Sequence, residues 1–234
     1  MKRVQEPERM TAQEELFYAA ADYTEAHETF ADRVVRAACS CESVRLVDLG
    51  TGPGDIPLRI VRKRPAWRII GVDASANMLE FARKDSRNIG PGQAIGWLQA
   101  DIKQTALPAS SFDVIISNSV LHHLHDPIRL WREVRRLAAV EATVIFRDLT
   151  RPAHEKLAQA LVVRHVGKES DVVKAHYLSS LHSAYTPDEV REQLAEAGLP
   201  ELVVTLESDR YLEVFGRIQR PACKNNKKKG NSCE

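Results

Sequence analysis

A short apolar strand runs directly into a glycine-rich loop at residues 47–54, whose sequence is VDLGTGPG. A second apolar segment follows at residues 69–75 (IIGVDAS), and a third ends at Asp101. These patterns predict three successive β-strands with a carboxylate near the C-terminal end of each: Asp48, Asp73 and Asp101. An open α/β sheet binds its ligand at that edge. The sequence therefore predicts a ligand site bordered by three acidic side chains.

The acidic edge indicates the charge of the ligand. In a dinucleotide site the loop and the helix that follows hold a pyrophosphate, which a carboxylate shortly before the first glycine would repel. Asp48 stands in that place, and Gly50, Gly52 and Gly54 are spaced G-x-G-x-G instead of G-x-G-x-x-G. S-adenosylmethionine has no phosphate and carries an ammonium and a sulfonium group. The sequence therefore favours a cationic nucleoside over a dinucleotide.

With these features the chain resembles the class I S-adenosylmethionine-dependent methyltransferases. The resemblance rests on the glycine loop, on GVDAS at residues 71–75, on QADI at 99–102 and on FDVIISN at 112–118, and it covers residues 15–217 in outline. It implies an α/β fold: a Rossmann-like, doubly wound, mostly parallel seven-stranded sheet with an antiparallel C-terminal hairpin. It also implies S-adenosylmethionine as cofactor and S-adenosylhomocysteine as product.

Candidate cofactor-binding residues follow from the strand ends and from the resemblance. We expect Asp73 to accept hydrogen bonds from both ribose hydroxyls and Asp101 to lie near the adenine amino group. The loop after the fourth strand commonly lines the cofactor in this family, which implicates Asn118. The full set is Asp48, Gly50, Thr51, Gly52, Gly54, Asp73, Ala74, Met78, Asp101, Ile102 and Asn118.

Periodicity along the rest of the chain predicts alternating strands and helices. A helix is predicted over residues 12–38, with strands at 45–49, 68–73, 95–101, 112–117 and 142–148 and helices near 55–64, 75–87 and 127–138. A capping box at residues 186–189 starts a late helix, and residues 202–206 and 211–215 predict a hairpin. We expect an N-terminal helical cap at 1–40, a methyltransferase domain at 41–219 with a substrate-cap insertion at about 151–186, and a disordered basic tail at 220–234.

Composition indicates a soluble enzyme. The chain has 234 residues and 44% hydrophobic content, without an apolar run long enough for a membrane span and without the apolar stretch of a signal peptide. Four cysteines, at positions 39, 41, 223 and 233, lack metal-ligand spacing. We interpret them as reduced thiols of a cytoplasmic protein. The tail from residue 220 carries a net charge of +4, so residues 1–219 sum to −3 and nucleic acid is not favoured as a partner.

Candidate catalytic residues follow the fourth strand, at residues 117–127 (SNSVLHHLHDP). Methyl transfer is an in-line displacement whose rate comes mostly from geometry, and an acidic acceptor also needs a base. His122 and His123 are the first candidates because histidine titrates near neutrality. The alternative is a packing role for both rings. No metal is expected, since His122, His123, His125 and Asp126 lack a known ligand spacing.

Substrate selection is predicted to involve the N-terminal helix and the stretch between the fifth strand and the capping box, counted from Arg147. The candidate substrate-binding residues are Tyr18, Tyr23, His27 and Arg147. The leading hypothesis is a methyltransferase acting on an oxygen or carbon of a small molecule. Two alternatives stay open: an RNA-directed methyltransferase, suggested by the basic tail, and a non-catalytic S-adenosylmethionine-binding module. The sequence leaves open the acceptor and the oligomeric state, with a homo-oligomer among the alternatives.

Overall fold

A computed structural model of the protein describes residues 1–20, 23–38, 42–88 and 94–219. Within these residues seven strands form one sheet in the order β3-β2-β1-β4-β5-β7-β6. Strands β1 to β5 run parallel to one another, and β7 is antiparallel to both β5 and β6. The strands are β1 Arg45–Leu49, β2 Arg68–Asp73, β3 Ala94–Gln99, β4 Phe112–Asn118, β5 Ala138–Leu149, β6 Val203–Leu206 and β7 Tyr211–Ile218. The predicted seven-stranded sheet with its antiparallel C-terminal hairpin is confirmed.

Eight α-helices and two short 3-10 turns connect or flank the described strands. The helices are α1 Ala12–Ala20, α2 Thr24–Ala37, α3 Asp55–Lys63, α4 Ala76–Asp85, α5 Pro127–Leu137, α6 Glu155–Val166, α7 Asp171–Ser183 and α8 Pro187–Glu196; the 3-10 turns are Ser86–Asn88 and Leu121–His123. None of the helices in this part of the chain is both long and apolar enough to traverse a bilayer.

The single helix predicted over residues 12–38 is wrong in its extent. The structure has α1 and α2 in that stretch, with Tyr23 at the N-cap of α2 and residues 21 and 22 outside the described part. The two helices pack on different partners, α1 on α4 and α2 on α3. One straight helix could not contact both, so tertiary packing overrides the continuous local helical pattern.

The core lies on both faces of the sheet because successive side chains of a strand point to opposite sides. In β4, Ile115 belongs to the cluster that contains Trp131, whereas Ile116 belongs to the cluster that contains Phe30 and Trp67. All five side chains are at most 1% exposed. The strands thus read as continuous apolar runs, as expected for a parallel sheet covered by helices on both faces.

The predicted insertion at about 151–186 contains α6 and α7, which pack against each other and form a third apolar cluster at the end of β5. The capping box that ends it is confirmed: the Thr186 hydroxyl accepts from the Glu189 amide, and the Glu189 carboxylate accepts from the Thr186 amide at 2.8 Å. The predicted tail at 220–234 and the four cysteines lie outside the described residues.

Candidate active site

The site is built where the strand order reverses. The chain runs β1-β2-β3 in one direction across the sheet and then places β4 on the other side of β1. Loops that leave β1 and β4 therefore diverge and open a crevice at the carboxyl edge, which is the ligand position in open α/β sheets. The Ser117 hydroxyl near the end of β4 donates to the Leu49 carbonyl at 2.6 Å and holds the two strand ends together.

The glycine loop has a backbone that only glycine adopts readily. Gly50, Gly52 and Gly54 have φ angles of 79°, 55° and 81°. Space is equally restrictive: a Cβ on Gly50 would lie 2.3 Å from a methyl carbon of Val120, and one on Gly54 would lie 2.5 Å from the Trp97 ring. The loop turns tightly over the sheet edge and brings its backbone close to the crevice.

Asp48, one residue before the C-terminal residue of β1, is 1% exposed. Its Oδ2 atom accepts a 2.7 Å hydrogen bond from the Thr51 hydroxyl, which fixes the carboxylate under the glycine loop. Burial raises the pKa of Asp48 to about 7, and the nearby carboxylate of Asp73 acts in the same direction. A cation placed at this edge would favour the ionised form.

Asp73, the last residue of β2, supports the loop from the other side. Its two carboxylate oxygens accept from the amides of Gly52 and Ser75, each at 2.8 Å. Burial raises the pKa of Asp73 despite these bonds. Ala74 follows at the loop, and Met78 lies buried in the first turn of α4, its amide donating to the Ser75 hydroxyl.

Asp101 lies two residues beyond the end of β3. The strands β2 and β3 end side by side, with Asp73 opposite Gln99, and the Ala100 amide continues the pairing by donating to the Asp73 carbonyl at 3.0 Å. The Asp101 side chain is exposed and accepts from the Lys103 amide at 2.8 Å, while Ile102 is buried beside it. The predicted three-carboxylate edge is therefore present at neighbouring strand ends.

Two buried polar residues form the wall on the β4 side. The Arg147 Nε atom donates to Asn118 Oδ1 at 2.8 Å, and another guanidinium nitrogen donates to the Ala26 carbonyl at 2.9 Å. The guanidinium also stacks over the rings of Phe30 and Tyr211. Burial lowers the pKa of Arg147. Arg147 thus orients the Asn118 amide and ties the end of β4 to α2.

The N-terminal helices cover the loop. Tyr18 of α1 lies 3.7 Å from the position of a Cβ at Gly52, and its ring is 5.0 Å from that of Tyr23, which stacks on His27. The His27 Nδ1 atom lies 2.8 Å from Asp55 Oδ2. One cleft is lined by Tyr18, His27, Asp48, Gly50, Thr51, Pro53, Asp55, Ile56 and Asn118.

Ring nitrogens of His122 and His123 face carboxylates in the turn after β4. Asp148 Oδ1 lies 2.6 Å from His122 Nδ1, and Glu6 Oε1 lies 2.9 Å from His123 Nδ1. Burial opposes charge on His122, but Asp148 and Glu6 raise its pKa above the ordinary value; burial and the neighbouring His122 lower the pKa of His123. Neither ring belongs to the lining of the described cleft.

The sequence of the domain matches known methyltransferases. A profile of the methyltransferase domain family matches residues 47–146. The trans-aconitate 2-methyltransferase of Azoarcus sp. strain BH72 is 33% identical over 140 residues, which cover 56% of this chain and 53% of that protein. The 2-phytyl-1,4-naphtoquinone methyltransferase of Nostoc punctiforme is 29% identical over 132 residues, which cover 56% of this chain and 57% of that protein.

The fold agrees with a solved structure. The plantazolicin methyltransferase BpumL, crystallised with a triazolic desmethylPZN analog and SAH, superposes with a TM-score of 0.68 at 16% identity, over 89% of this chain and 91% of that chain. The chain carries a class I S-adenosylmethionine-dependent methyltransferase domain. The cofactor of this family is S-adenosylmethionine. The chain spans about half the length of the curated relatives it matches, 53% and 57% for the two above.

The methyltransferase domain brings together most of the sequence-predicted residues. Four predicted residues line the same cleft as the glycine loop: Tyr18, His27, Asp48 and Asn118. Tyr23 is 38% exposed and does not line this cleft, but its ring packs on those of Tyr18 and His27. His122 and His123 lie together: His122 pairs with Asp148, and His123 pairs with Glu6. His125 contacts the backbone carbonyl of Glu6 through Nε2.

Two acidic residues were missed as site residues by the sequence analysis. Asp55 lines the cleft and binds both His27 and Arg59; burial opposes ionisation, but these hydrogen bonds lower the pKa of Asp55 to about 2. Its place in the first turn after the glycine loop was a usable local signal. Glu6 reaches His123 from 117 positions away in the chain, and no spacing in the sequence indicates that contact.

Proposed function

We propose that this chain transfers the methyl group of S-adenosylmethionine to an oxygen or carbon of a small molecule, in the cytoplasm. The observation that carries the proposal is the pair of carboxylates on either side of the positive-φ glycine loop, the buried Asp48 and the half-buried Asp73. An anionic, desolvated edge of this kind complements a ligand that carries an ammonium and a sulfonium group. Two curated relatives are named as methyltransferases of trans-aconitate and of a naphthoquinone, which supports a small molecule as the methyl acceptor.

Each part of the cleft has a task in this proposal. The glycine loop lets the cofactor approach the backbone, Asp73 accepts from the ribose hydroxyls, Asp101 and Ile102 border the adenine, and Asn118, oriented by Arg147, contacts the methionine part. Ala74 and Met78 complete the wall next to Asp73. The acceptor enters between the cofactor and the N-terminal helices, where Tyr18 and His27 line the cleft and Tyr23 packs on both.

The chemistry needs little more than this arrangement. Holding the acceptor in line with the methyl-sulfur bond converts a bimolecular displacement into an intramolecular one, and the cover formed by α1 keeps water from the sulfonium. Because Tyr18 lies directly over Gly52, we infer that α1 moves away to admit the cofactor and returns over it. His122 and His123 stay predicted bases for an acidic acceptor, but the methyl transfer itself does not require them.

The domain organisation predicted from the sequence is consistent with these roles. Residues 1–40 act as an N-terminal helical cap, residues 41–219 as the methyltransferase domain, and the α6–α7 pair in the 151–186 insertion as a substrate cap. The basic tail at 220–234 has no part in the chemistry.

The test is a screen with S-adenosylmethionine that carries an isotopically labelled methyl group. The full chain is incubated with a metabolite extract, and labelled products are identified by mass spectrometry. We expect a labelled small molecule whose formation stops in an Asp73→Ala variant and continues in Asp85→Ala, since Asp85 is an exposed residue at the end of α4. Label that appears only in RNA would favour the RNA-directed alternative.

Cofactor binding is measured separately by calorimetry with S-adenosylhomocysteine. Hydrogen bonds to charged groups are worth about 1.5–3 kcal/mol each, so losing two to the ribose should weaken binding by at least about 100-fold in Asp73→Ala. Asp85→Ala should bind as the unmodified chain does. Equal affinity of all three proteins would refute the ribose assignment, and absence of transfer with intact binding would identify a non-catalytic binding module.

A further inference from the structure

A second buried polar cluster lies outside the described cleft, where residues 1–8 cross the turn after β4. It consists of Glu6, His122 and His123, each offering one ligand atom within 4.8 Å of the others. Glu6 is 8% exposed, and the side chains of His122 and His123 are 4% and 12% exposed. Buried polar atoms normally have hydrogen-bond partners or a bound ion. Apolar packing does not explain why a carboxylate and two imidazoles converge in a buried place.

The orientation of the His122 ring is fixed by Asp148. This carboxylate accepts four hydrogen bonds, three from the backbone amides of Val120, Leu121 and Leu149 and one from His122 Nδ1. With Nδ1 bound to Asp148 at 2.6 Å, Nε2 is the ring nitrogen that remains available to a ligand. In metal sites a ligating histidine commonly binds a carboxylate through its other ring nitrogen in this way.

The Nε2 atom of His122 lies near a second carboxylate. Glu6 Oε1 lies 3.5 Å from this nitrogen and 2.9 Å from Nδ1 of His123. The latter nitrogen is buried and has no hydrogen-bond partner of acceptable geometry among the described residues. Three electron-pair donors thus face one another at short range, an arrangement that a cation between them would stabilise.

We propose that Glu6, His122 and His123 bind a divalent transition-metal ion, with zinc as the best fit. Metal-ligand bonds of about 2.0–2.1 Å in a tetrahedral zinc site place ligand atoms ~3.3 Å apart, and the observed separations of 2.9 and 3.5 Å lie on either side of that value. Imidazole nitrogens favour zinc over magnesium or calcium, which prefer oxygen. Three protein ligands leave the fourth position to water.

The charges of the surroundings agree with a bound cation. With both imidazoles neutral, the carboxylates of Glu6 and Asp148 and the guanidinium of Arg3 sum to one negative charge. Arg3 does not occupy the cluster: it donates to the backbone carbonyls of His122 and Leu124 at 3.1 Å. A metal here would attach residues 1–8 to the turn after β4, a different task from the proton transfer predicted for the two histidines.

The experiment uses the full chain, stripped of metal with a chelator and titrated with Co²⁺ as a spectroscopic substitute for zinc. We expect one Co²⁺ per chain with visible bands of tetrahedral nitrogen and oxygen ligation, displaced by Zn²⁺. Glu6→Gln and His123→Gln should each weaken Co²⁺ binding by at least about 100-fold. Asp148→Asn should weaken it by about 10–100-fold, the usual effect of losing the carboxylate that orients a ligating histidine. Circular dichroism shows whether each variant is folded.

The matched control is His165→Gln. The Nε2 atom of His165 lies 3.0 Å from Asp209 Oδ1, so this histidine also pairs with a carboxylate. Among the described residues, however, His165 does not belong to a group of three side chains that could hold a metal ion. This variant should bind Co²⁺ as the unmodified protein does. Unchanged binding in folded Glu6→Gln, absence of stoichiometric binding, or thiolate charge-transfer bands from the cysteines would each overturn the proposal. If Glu6→Gln fails to fold, X-ray absorption of the zinc-loaded unmodified chain decides: two imidazoles and a carboxylate support it, and sulfur ligands overturn it.

Discussion

Replacing Asp48 by Asn should make the cofactor-free protein more stable at high pH. Burial raises the pKa of Asp48 from 3.8 to about 7, so the folded state holds this proton more tightly than the unfolded state does. The unmodified protein therefore loses stability as pH rises from about 4 to about 7, and the loss is complete above 7. A shift of about three pKa units corresponds to about 4 kcal/mol as an upper bound.

The Asn variant lacks this titration but keeps the packing. Its amide oxygen can still accept from the Thr51 hydroxyl, which now donates to Asp48 Oδ2. Urea denaturation followed by tryptophan fluorescence gives the unfolding free energy of both proteins between about pH 5 and about pH 8. We expect the variant's advantage to grow over that range to about 1–4 kcal/mol. Asp85→Asn, at an exposed position, should show no such growth.

Cofactor binding should change in the opposite direction. The ionised carboxylate attracts the cationic cofactor, so the affinity of the unmodified chain for S-adenosylmethionine should rise with pH up to about 7, by at most about tenfold per pH unit, whereas Asp48→Asn should bind weakly at every pH. One outcome would refute the reasoning: the unfolding free energy of Asp48→Asn lies below that of the unmodified protein, and by the same amount at every pH.

Three further predictions concern the loop and the core. Gly54→Ala should destabilise the fold by about 2 kcal/mol or more in urea denaturation, because its φ is 81° and the new Cβ would lie 2.5 Å from Trp97; Gly96→Ala, with no atom nearer than 3.8 Å, should change little. Glu133→Gln should cost about 2–3 kcal/mol at neutral pH. Burial opposes the charge, but its hydrogen bonds lower the pKa of Glu133 to about 2, so the difference should vanish as pH falls from about 4.5 towards 2. Trp131→Ala removes a fully buried ring and should cost about 3–5 kcal/mol in the same assay.

Elements whose signal is local were predictable from the sequence. Strands β1 and β2 begin and end where the sequence predicted, because a parallel strand covered on both faces is apolar over most of its length. The capping box at Thr186 was predictable because both of its hydrogen bonds lie within four residues. The carboxylates of Asp48 and Asp73 were predictable as neighbours, since parallel strands place equivalent ends at one edge.

Features that depend on distant contacts were not predictable. Strand β5 begins at Ala138 and not at the predicted residue 142, because its first residue pairs with Phe112 ahead of an irregularity in the ladder. The break between α1 and α2 has no glycine or proline to announce it and follows from their different packing partners. Glu6 lies in an irregular segment without periodicity, so its contact with His123 has no counterpart in any local pattern.

The last residues of β5 couple the two sides of the sheet. Arg147 reaches Asn118 and the carbonyl of Ala26, and the next residue, Asp148, reaches His122. Because consecutive side chains of a strand alternate in direction, inserting one residue earlier in β5 would move the Arg147 guanidinium to the present place of the Asp148 carboxylate, behind His122. Deleting one residue would instead move the carboxylate to the present place of the guanidinium, against the Asn118 amide. The length of this strand is therefore constrained from both faces at once, and point substitution, not insertion or deletion, is the route by which either side can diverge.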